Sequence, residues 1–223
     1  MGQKMSIDCY IFTGGQVFAD SIGELSLAPK DGDLIIAADS GYMTARRFGI
    51  KPDILLGDLD SLECSELSQG ELDEMEKIIV PRIKDDTDTQ LAVDTAIERG
   101  AENICIIGGL GGRLDHTLSS VFLLEYIAEH GVSCVMTDGR NIVRMLVSYG
   151  EKRMVTVERG YKYLSLVSLS DICRGVSMTG VFYPLDSIEL TRKYSYAVSN
   201  EITSEYAEIS LTDGVMLIIE SRD

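Results

Sequence analysis

The chain has no tryptophan and only two histidines, His116 and His130, among its 223 residues. Stacking on any ligand therefore falls to tyrosine or phenylalanine. The two histidines stand too far apart for a zinc pair on one helix. No apolar run approaches the roughly 18 residues that a membrane helix needs. The five cysteines, Cys9, Cys64, Cys105, Cys134 and Cys173, are scattered, odd in number and form no C-x-x-C. That pattern excludes a disulfide framework and fits a reducing cytoplasm. Bases are few, 20 Lys+Arg against 36 Asp+Glu, for a net charge of −16. Such a chain repels nucleic-acid backbone, so no nucleic-acid partner is expected. Neither phosphate-binding fingerprint is present. The glycine run Gly108-Gly109-Leu110-Gly111-Gly112 has Leu114 where the dinucleotide motif needs its last glycine, and no G-x-x-x-x-G-K-[ST] occurs.

What is present is a chain 45% hydrophobic, enough for a sizeable core. Short apolar runs at Ile7–Phe12, Leu34–Ala38, Ile54–Leu56, Ile78–Val80, Ile104–Ile107 and Val132–Met136 read as strands. Helical patterns lie between them at Gly41–Phe48, Leu67–Lys77, Thr89–Arg99 and His116–His130. Near-continuous apolar strands alternating with helices predict a mainly parallel sheet covered on both faces. Beyond residue 140 the period becomes two. Strands are expected at 154–157, 161–169, 188–192, 208–211 and 215–219, punctuated by Gly150, Gly160, Gly175, Gly180, Pro184 and Asp213-Gly214. The expected fold is an α/β domain over 1–139, with a mainly parallel sheet flanked by helices. An all-β sandwich domain over 140–223 follows it. The charge divides at the same place: residues 1–139 hold 25 acids and 10 bases, residues 140–223 hold 11 and 10.

The acids of the first part gather where strands end, which is where open α/β sheets bind ligands. One strand runs into Asp39-Ser40-Gly41. Another runs into Gly57-Asp58-Leu59-Asp60-Ser61, where Asp58 and Asp60 face one way in an extended segment. Two adjacent carboxylates suit Mg²⁺, which takes hard oxygen ligands and completes its shell with water and phosphate. An acidic turn with helix-capping aspartates is the other reading, and the segment alone leaves both open. Lys84-Asp85-Asp86-Thr87-Asp88-Thr89 opens the next helix. Its threonines and aspartates can cap, while Lys84 can balance phosphate charge and Asp88 can bind metal. The glycine run is followed by Arg113-Leu114-Asp115-His116-Thr117. Arg113 offers a planar fork for phosphate, Asp115 reads as an N-cap, and His116 is either a ligand contact or an inert first-turn residue. Ser199-Asn200-Glu201 in the second domain reads by itself as a turn between strands.

In combination and in this order, these segments resemble the thiamin pyrophosphokinase family, across nearly the whole chain. The resemblance implies transfer of the pyrophosphoryl group of ATP to the hydroxyl of thiamine, giving thiamine diphosphate and AMP. It implies Mg²⁺ held by Asp58, Asp60 and Asp88, with Lys84 and Arg113 balancing phosphate charge. Asp39, Asp85, Thr87, Asp115 and His116 would line the nucleotide or diphosphate site, and Ser199 and Asn200 would contact thiamine. It also implies a homodimer with the active site at the subunit interface. Leu59 stands where the family commonly has phenylalanine, and Gln90 where bacterial members commonly have an acid. Tyr194 and Tyr196 are candidates for stacking on thiamine, with core packing their expected role. Two other readings remain: a pyrophosphokinase for another alcohol, and a thiamine or nucleotide sensor without catalysis.

Overall fold

The computed structural model describes residues 8–20, 22–25, 29–57, 75–79 and 87–223. They fall into two compact units, one ending at Gly139 and the other beginning at Arg140.

The first unit is built on six parallel strands: β1 (Cys9–Phe12), β2 (Leu34–Ala38), β3 (Ile54–Gly57), β4 (Glu76–Ile79), β5 (Asn103–Ile107) and β6 (Ser133–Thr137). Their spatial order is β6-β5-β1-β2-β3-β4. The four residues of β1 are buried, as are the last four of β2 and β5. Burial on both faces removes the selection for alternation, so these strands read as unbroken apolar runs. β4 is the exception. It is mostly exposed and pairs with β3 alone among the described residues. Glu76 and Lys77 belong to this strand, so the helix expected over Leu67–Lys77 does not extend into them; its earlier part lies outside the described residues.

Among the described residues three helices join the strands, Gly41–Arg47, Asp88–Glu98 and Leu114–Glu129, besides a 3₁₀ turn at Ile22–Leu25. The last two are tied together where Asp94 Oδ1 accepts from both Gln90 Nε2 (3.0 Å) and Tyr126 OH (2.8 Å). No described helix is long and apolar enough to cross a membrane. Cys9 and Cys105 lie in the sheet with their thiols free, and burial pushes Cys9 up to about 12 and Cys105 higher still. Thiols so shifted stay protonated at neutral pH and behave as small apolar groups.

The second unit is antiparallel: β7 (Asn141–Glu158), β8 (Tyr163–Ser168), β9 (Ile172–Thr179), β10 (Leu185–Thr191) and β11 (Tyr206–Ser221). β11 pairs with β7 along nearly its whole length, with β9 over Glu208–Asp213, and with β8 over Met216–Ser221. The change of partner follows an irregularity between Leu211 and Asp213. A bulge of this kind lets one strand serve two layers of a sandwich. Residues from all five strands meet in one core, among them Val157, Leu166, Val176, Leu190, Ile209 and Met216. Asp213-Gly214 is therefore paired within one strand, to Tyr149 and Ser148, and is not the turn between two strands expected from its composition. The extra residues of the bulge are Gly150–Lys152 of β7, opposite Thr212. β7 continues through Gly150 by way of that bulge instead of turning there, and β9 is a strand where none is expected. A buried pair joins β7 to β11: Arg144 Nη2 donates to Glu220 Oε1 at 2.6 Å. Burial pushes the Glu220 carboxyl up, and Arg144 opposes that shift.

Candidate functional site

From β1 the chain passes to β2 on one side and later returns at β5 on the other. The loops at the carboxyl ends of β1 and β5 thus diverge, which creates the crevice where open α/β sheets hold ligands. A cleft of about 420 Å³ lies there. Its walls are Thr13-Gly14-Gly15 after β1, Ala38-Asp39-Ser40 after β2, and Gly108-Gly109 with Gly111-Gly112 after β5. Thr87-Asp88-Thr89 and Arg113, His116 and Ser120 supply the rest, from the starts of two helices.

Thr13-Gly14-Gly15 is the part that sequence reasoning missed. The Thr13 amide donates to the Ile107 carbonyl at 2.9 Å, as does its hydroxyl at 3.2 Å. This holds the β1 loop against the end of β5. A methyl group on Gly15 would stand 1.9 Å from the Gly108 carbonyl oxygen, and one on Gly41 would stand 2.0 Å from the Phe12 carbonyl oxygen. Both glycines are demanded by backbone packed against backbone. The available signal was a glycine pair directly after an apolar strand, the same pattern that marked Gly108. Further on, Arg47 Nη2 donates to the carbonyls of Val17 (3.1 Å) and Ala19 (3.3 Å), and the Phe18 amide donates to Asp138 O (2.7 Å). The loop is pinned from several directions and so forms a preset wall.

Among the expected acids, Asp39 and Asp88 reach this one cleft. Asp39 sits in the left-handed region (φ 50°), and its amide donates to Leu56 O at 2.7 Å. Gly57 packs against the Asp39 backbone. Asp88 occupies the first turn of helix Asp88–Glu98, whose N-cap is Thr87; the Thr87 hydroxyl accepts from the Gln90 amide at 3.1 Å. Gln90 itself is turned along the helix toward Asp94. Asp58, Asp60, Lys84 and Asp85 lie outside the described residues. Asp39 and Asp88 bring carboxylates, hard oxygen donors of the kind Mg²⁺ takes, to a cleft that glycine loops and helix starts also line. Among the described residues no group of three or more metal-ligating side chains is gathered.

Gly111 and Gly112 take φ of 83° and 75°, a backbone that favours glycine. Thr117 Oγ1 donates to Gly111 O at 3.0 Å and ties this loop to the helix it precedes. Arg113, not Asp115, is the N-cap residue; Asp115 is one place inside helix Leu114–Glu129. Its carboxylate instead accepts a two-point fork from Arg113, Nε at 3.1 Å and Nη2 at 2.6 Å, and the His116 amide at 2.9 Å. The Arg113 fork holds the Asp115 carboxyl down at about 2, so it stays ionised at any ordinary assay pH. Both side chains are exposed, which makes this pair a means of orientation more than of stability. Arg113 keeps three N–H donors for a phosphate.

In the second unit Ser199 also adopts a left-handed backbone (φ 59°), and its amide donates to Ser165 Oγ at 3.0 Å. Asn200 is 4% exposed. Its Oδ1 accepts from the amides of Tyr183 (3.0 Å) and Glu201 (2.9 Å), and its Nδ2 donates to Tyr183 O (2.8 Å). Asn200 is thus a bracket between two loops, its side-chain amide engaged by the Tyr183 backbone and the Glu201 amide. Replacing it by alanine would strand buried backbone groups; Asn200→Ala should lower the urea-unfolding free energy by about 2 kcal/mol. Tyr194 and Tyr196 are 75% and 69% exposed, so the core role expected for them does not hold. Phe182 and Tyr183 are exposed too and meet edge to face at 4.8 Å. These aromatic side chains lie outside the core of this unit, which mainly aliphatic side chains from all five strands fill.

Comparison with known proteins agrees across both units. Residues 26–136 match the family model for the thiamin pyrophosphokinase catalytic domain, and residues 152–216 that for the thiamin pyrophosphokinase vitamin B1 binding domain. The chain is 30% identical to thiamine pyrophosphokinase of Bacillus subtilis over 190 residues, 85% of this chain and 88% of that protein. It is 26% identical to thiamin pyrophosphokinase 1 of Caenorhabditis elegans, over 76% of this chain and 70% of that protein. The crystal structure of thiamin pyrophosphokinase from Geobacillus thermodenitrificans superposes with a TM-score of 0.82 at 26% identity, covering 96% of this chain and 97% of that one.

Proposed function

Because the chain belongs to the thiamin pyrophosphokinase family, we propose that its first unit binds ATP with Mg²⁺ and its second unit binds thiamine. The reaction moves the pyrophosphoryl group of ATP to the hydroxyl of thiamine, giving thiamine diphosphate and AMP. The observation that carries the assignment of parts is the cleft at the β1/β5 divergence, where Asp39, Asp88, Arg113 and the glycine loops converge.

Asp88, together with Asp58 and Asp60, would hold Mg²⁺, which when bound neutralises triphosphate charge. Arg113, oriented by Asp115, and Lys84 add positive charge along the phosphates. Backbone amides of Gly108, Gly109, Gly111 and Gly112 can approach the phosphates closely, because these residues carry no side chains. Transfer of this kind asks for alignment and charge stabilisation more than for a covalent nucleophile. Asp39, Asp85, Thr87 and His116 line the nucleotide or diphosphate. The acidic first unit attracts cationic thiamine and makes binding of anionic ATP depend on its metal. Ser199 faces thiamine beside the exposed tyrosines. The enzyme acts as a homodimer in the cytoplasm, with Ser199 delivered to the partner's cleft.

Phosphorus NMR of the protein with thiamine, ATP and Mg²⁺ tests this reading. AMP and thiamine diphosphate should accumulate in equal amounts, and EDTA should abolish both signals. ADP as the product would overturn pyrophosphoryl transfer. Binding of thiamine and ATP without turnover would favour the sensor.

A further inference from the structure

Ser120 stands on the helix Leu114–Glu129 one turn beyond His116, and both line the cleft. The residue is only 8% exposed. A helical serine or threonine commonly returns its hydroxyl to the carbonyl four residues back. Thr95 does so to Leu91 (2.7 Å), and Thr117 does so to Arg113 (3.2 Å). Ser120 makes no such bond, and among the described residues its hydroxyl has no hydrogen-bond partner. The hydroxyl is not one of the fully buried polar atoms that lack a partner, so the small open part of Ser120 includes its oxygen, and it lies on the ligand cleft.

Its depth indicates which part of a ligand it meets. At 1.5 Å per residue, Ser120 lies about 9 Å along the helix from Leu114. The helix start and the glycine loop are suited to phosphate. A nucleotide held there by its phosphates extends its nucleoside over that distance.

We propose that the Ser120 hydroxyl hydrogen-bonds the nucleoside portion of ATP, and so makes Ser120 a nucleotide-binding residue of this site. The inference rests on the proposed placement of ATP in the cleft of the first unit. A hydroxyl both donates and accepts, so it matches the ribose hydroxyls and the polar edge of the base equally.

Direct binding to Mg·ATP and to Mg·tripolyphosphate, which lacks the nucleoside, separates the possibilities. Ser120→Ala should weaken Mg·ATP roughly 3- to 10-fold, the range expected for one neutral hydrogen bond, and leave tripolyphosphate unchanged. Ser120→Thr, which keeps the hydroxyl, should restore most of the affinity. The melting temperature of the free protein should not fall in Ser120→Ala, because no internal bond is lost. Unchanged ATP affinity, an equal loss for tripolyphosphate, or a lowered melting temperature with normal ATP binding would each overturn the proposal. If the wild type makes thiamine diphosphate while Ser120→Ala binds ATP normally, this inference falls alone. If Ser120→Ala shows the selective loss but no thiamine diphosphate forms, the reaction falls and the contact stands. A wild type that binds no Mg·ATP takes both down.

Discussion

Asp88→Asn should lower kcat by roughly 10²- to 10³-fold, the scale for removing one charge-stabilising group from a preorganised site. The change keeps the shape of the side chain and removes a hard anionic donor. Asp88 lies in the first turn of its helix, so losing the charge also weakens its interaction with the helix dipole, by about 0.5 kcal/mol. That is far too little to unfold the unit. Thr87→Ala is the informative companion. It removes the cap to the Gln90 amide and should cost about 1 kcal/mol of stability with a much smaller loss of turnover. The measurement is steady-state turnover against Mg²⁺ concentration, alongside urea unfolding. Asp88→Asn should need more Mg²⁺ for half-maximal rate. Near-normal turnover at the usual Mg²⁺ concentration would remove Asp88 from the metal set.

Gly15→Ala should destabilise the first unit by about 2–3 kcal/mol and abolish measurable Mg·ATP binding. The added carbon would sit 1.9 Å from the Gly108 carbonyl oxygen, 2.9 Å from its carbon and 3.0 Å from the Leu110 carbonyl oxygen. None of these atoms is the end of a flexible side chain. The loops after β1 and β5 must separate, and they form the two sides of the cleft. Gly111→Ala gives the contrast. Its φ of 83° makes an alanine strained by roughly 1–2 kcal/mol, but no atom lies within 4 Å of the added carbon. Gly111→Ala should therefore lose stability while retaining some nucleotide affinity, whereas Gly15→Ala should lose both. Unfolding curves and Mg·ATP titrations of the two variants check this. Wild-type affinity in Gly15→Ala would show that the two loops can part without harm to the site.

Most of the parallel strands were legible because they are buried on both faces, so an apolar run in the chain is a strand in the sheet; β4, mostly exposed, is the exception. The second unit was harder to read. Its strands are exposed on one face, and glycines that look like turns sit inside strands. Gly150 lies in β7, and Gly214 in β11 at the change of partner. Glycine marks a departure from ordinary backbone, but composition does not distinguish a bulge from a turn. Asp115 was read as a cap because its residue type suits one; the place went to Arg113, and Asp115 became the anchor for that arginine. The tyrosines near Ser199, candidates for stacking on thiamine, were expected in the core. They are exposed, and mainly aliphatic residues from five strands make up the core.

By itself the amino-acid sequence determined the order of the elements in the first unit, the change to an all-β second unit, the acidic character of the first and the motifs that carry the family. Those properties are local: they depend on which residues are neighbours along the chain and on the period of burial. The tertiary structure alone decided that Thr13-Gly14-Gly15 completes the cleft, that Asn200 is a bracket, and that Ser120 opens onto the cleft with no partner among the described residues. Each depends on an atom far away in sequence: the Gly108 carbonyl, the Tyr183 backbone, the space beside a helix. Close packing brings such atoms within hydrogen-bonding or steric reach only once the chain has folded.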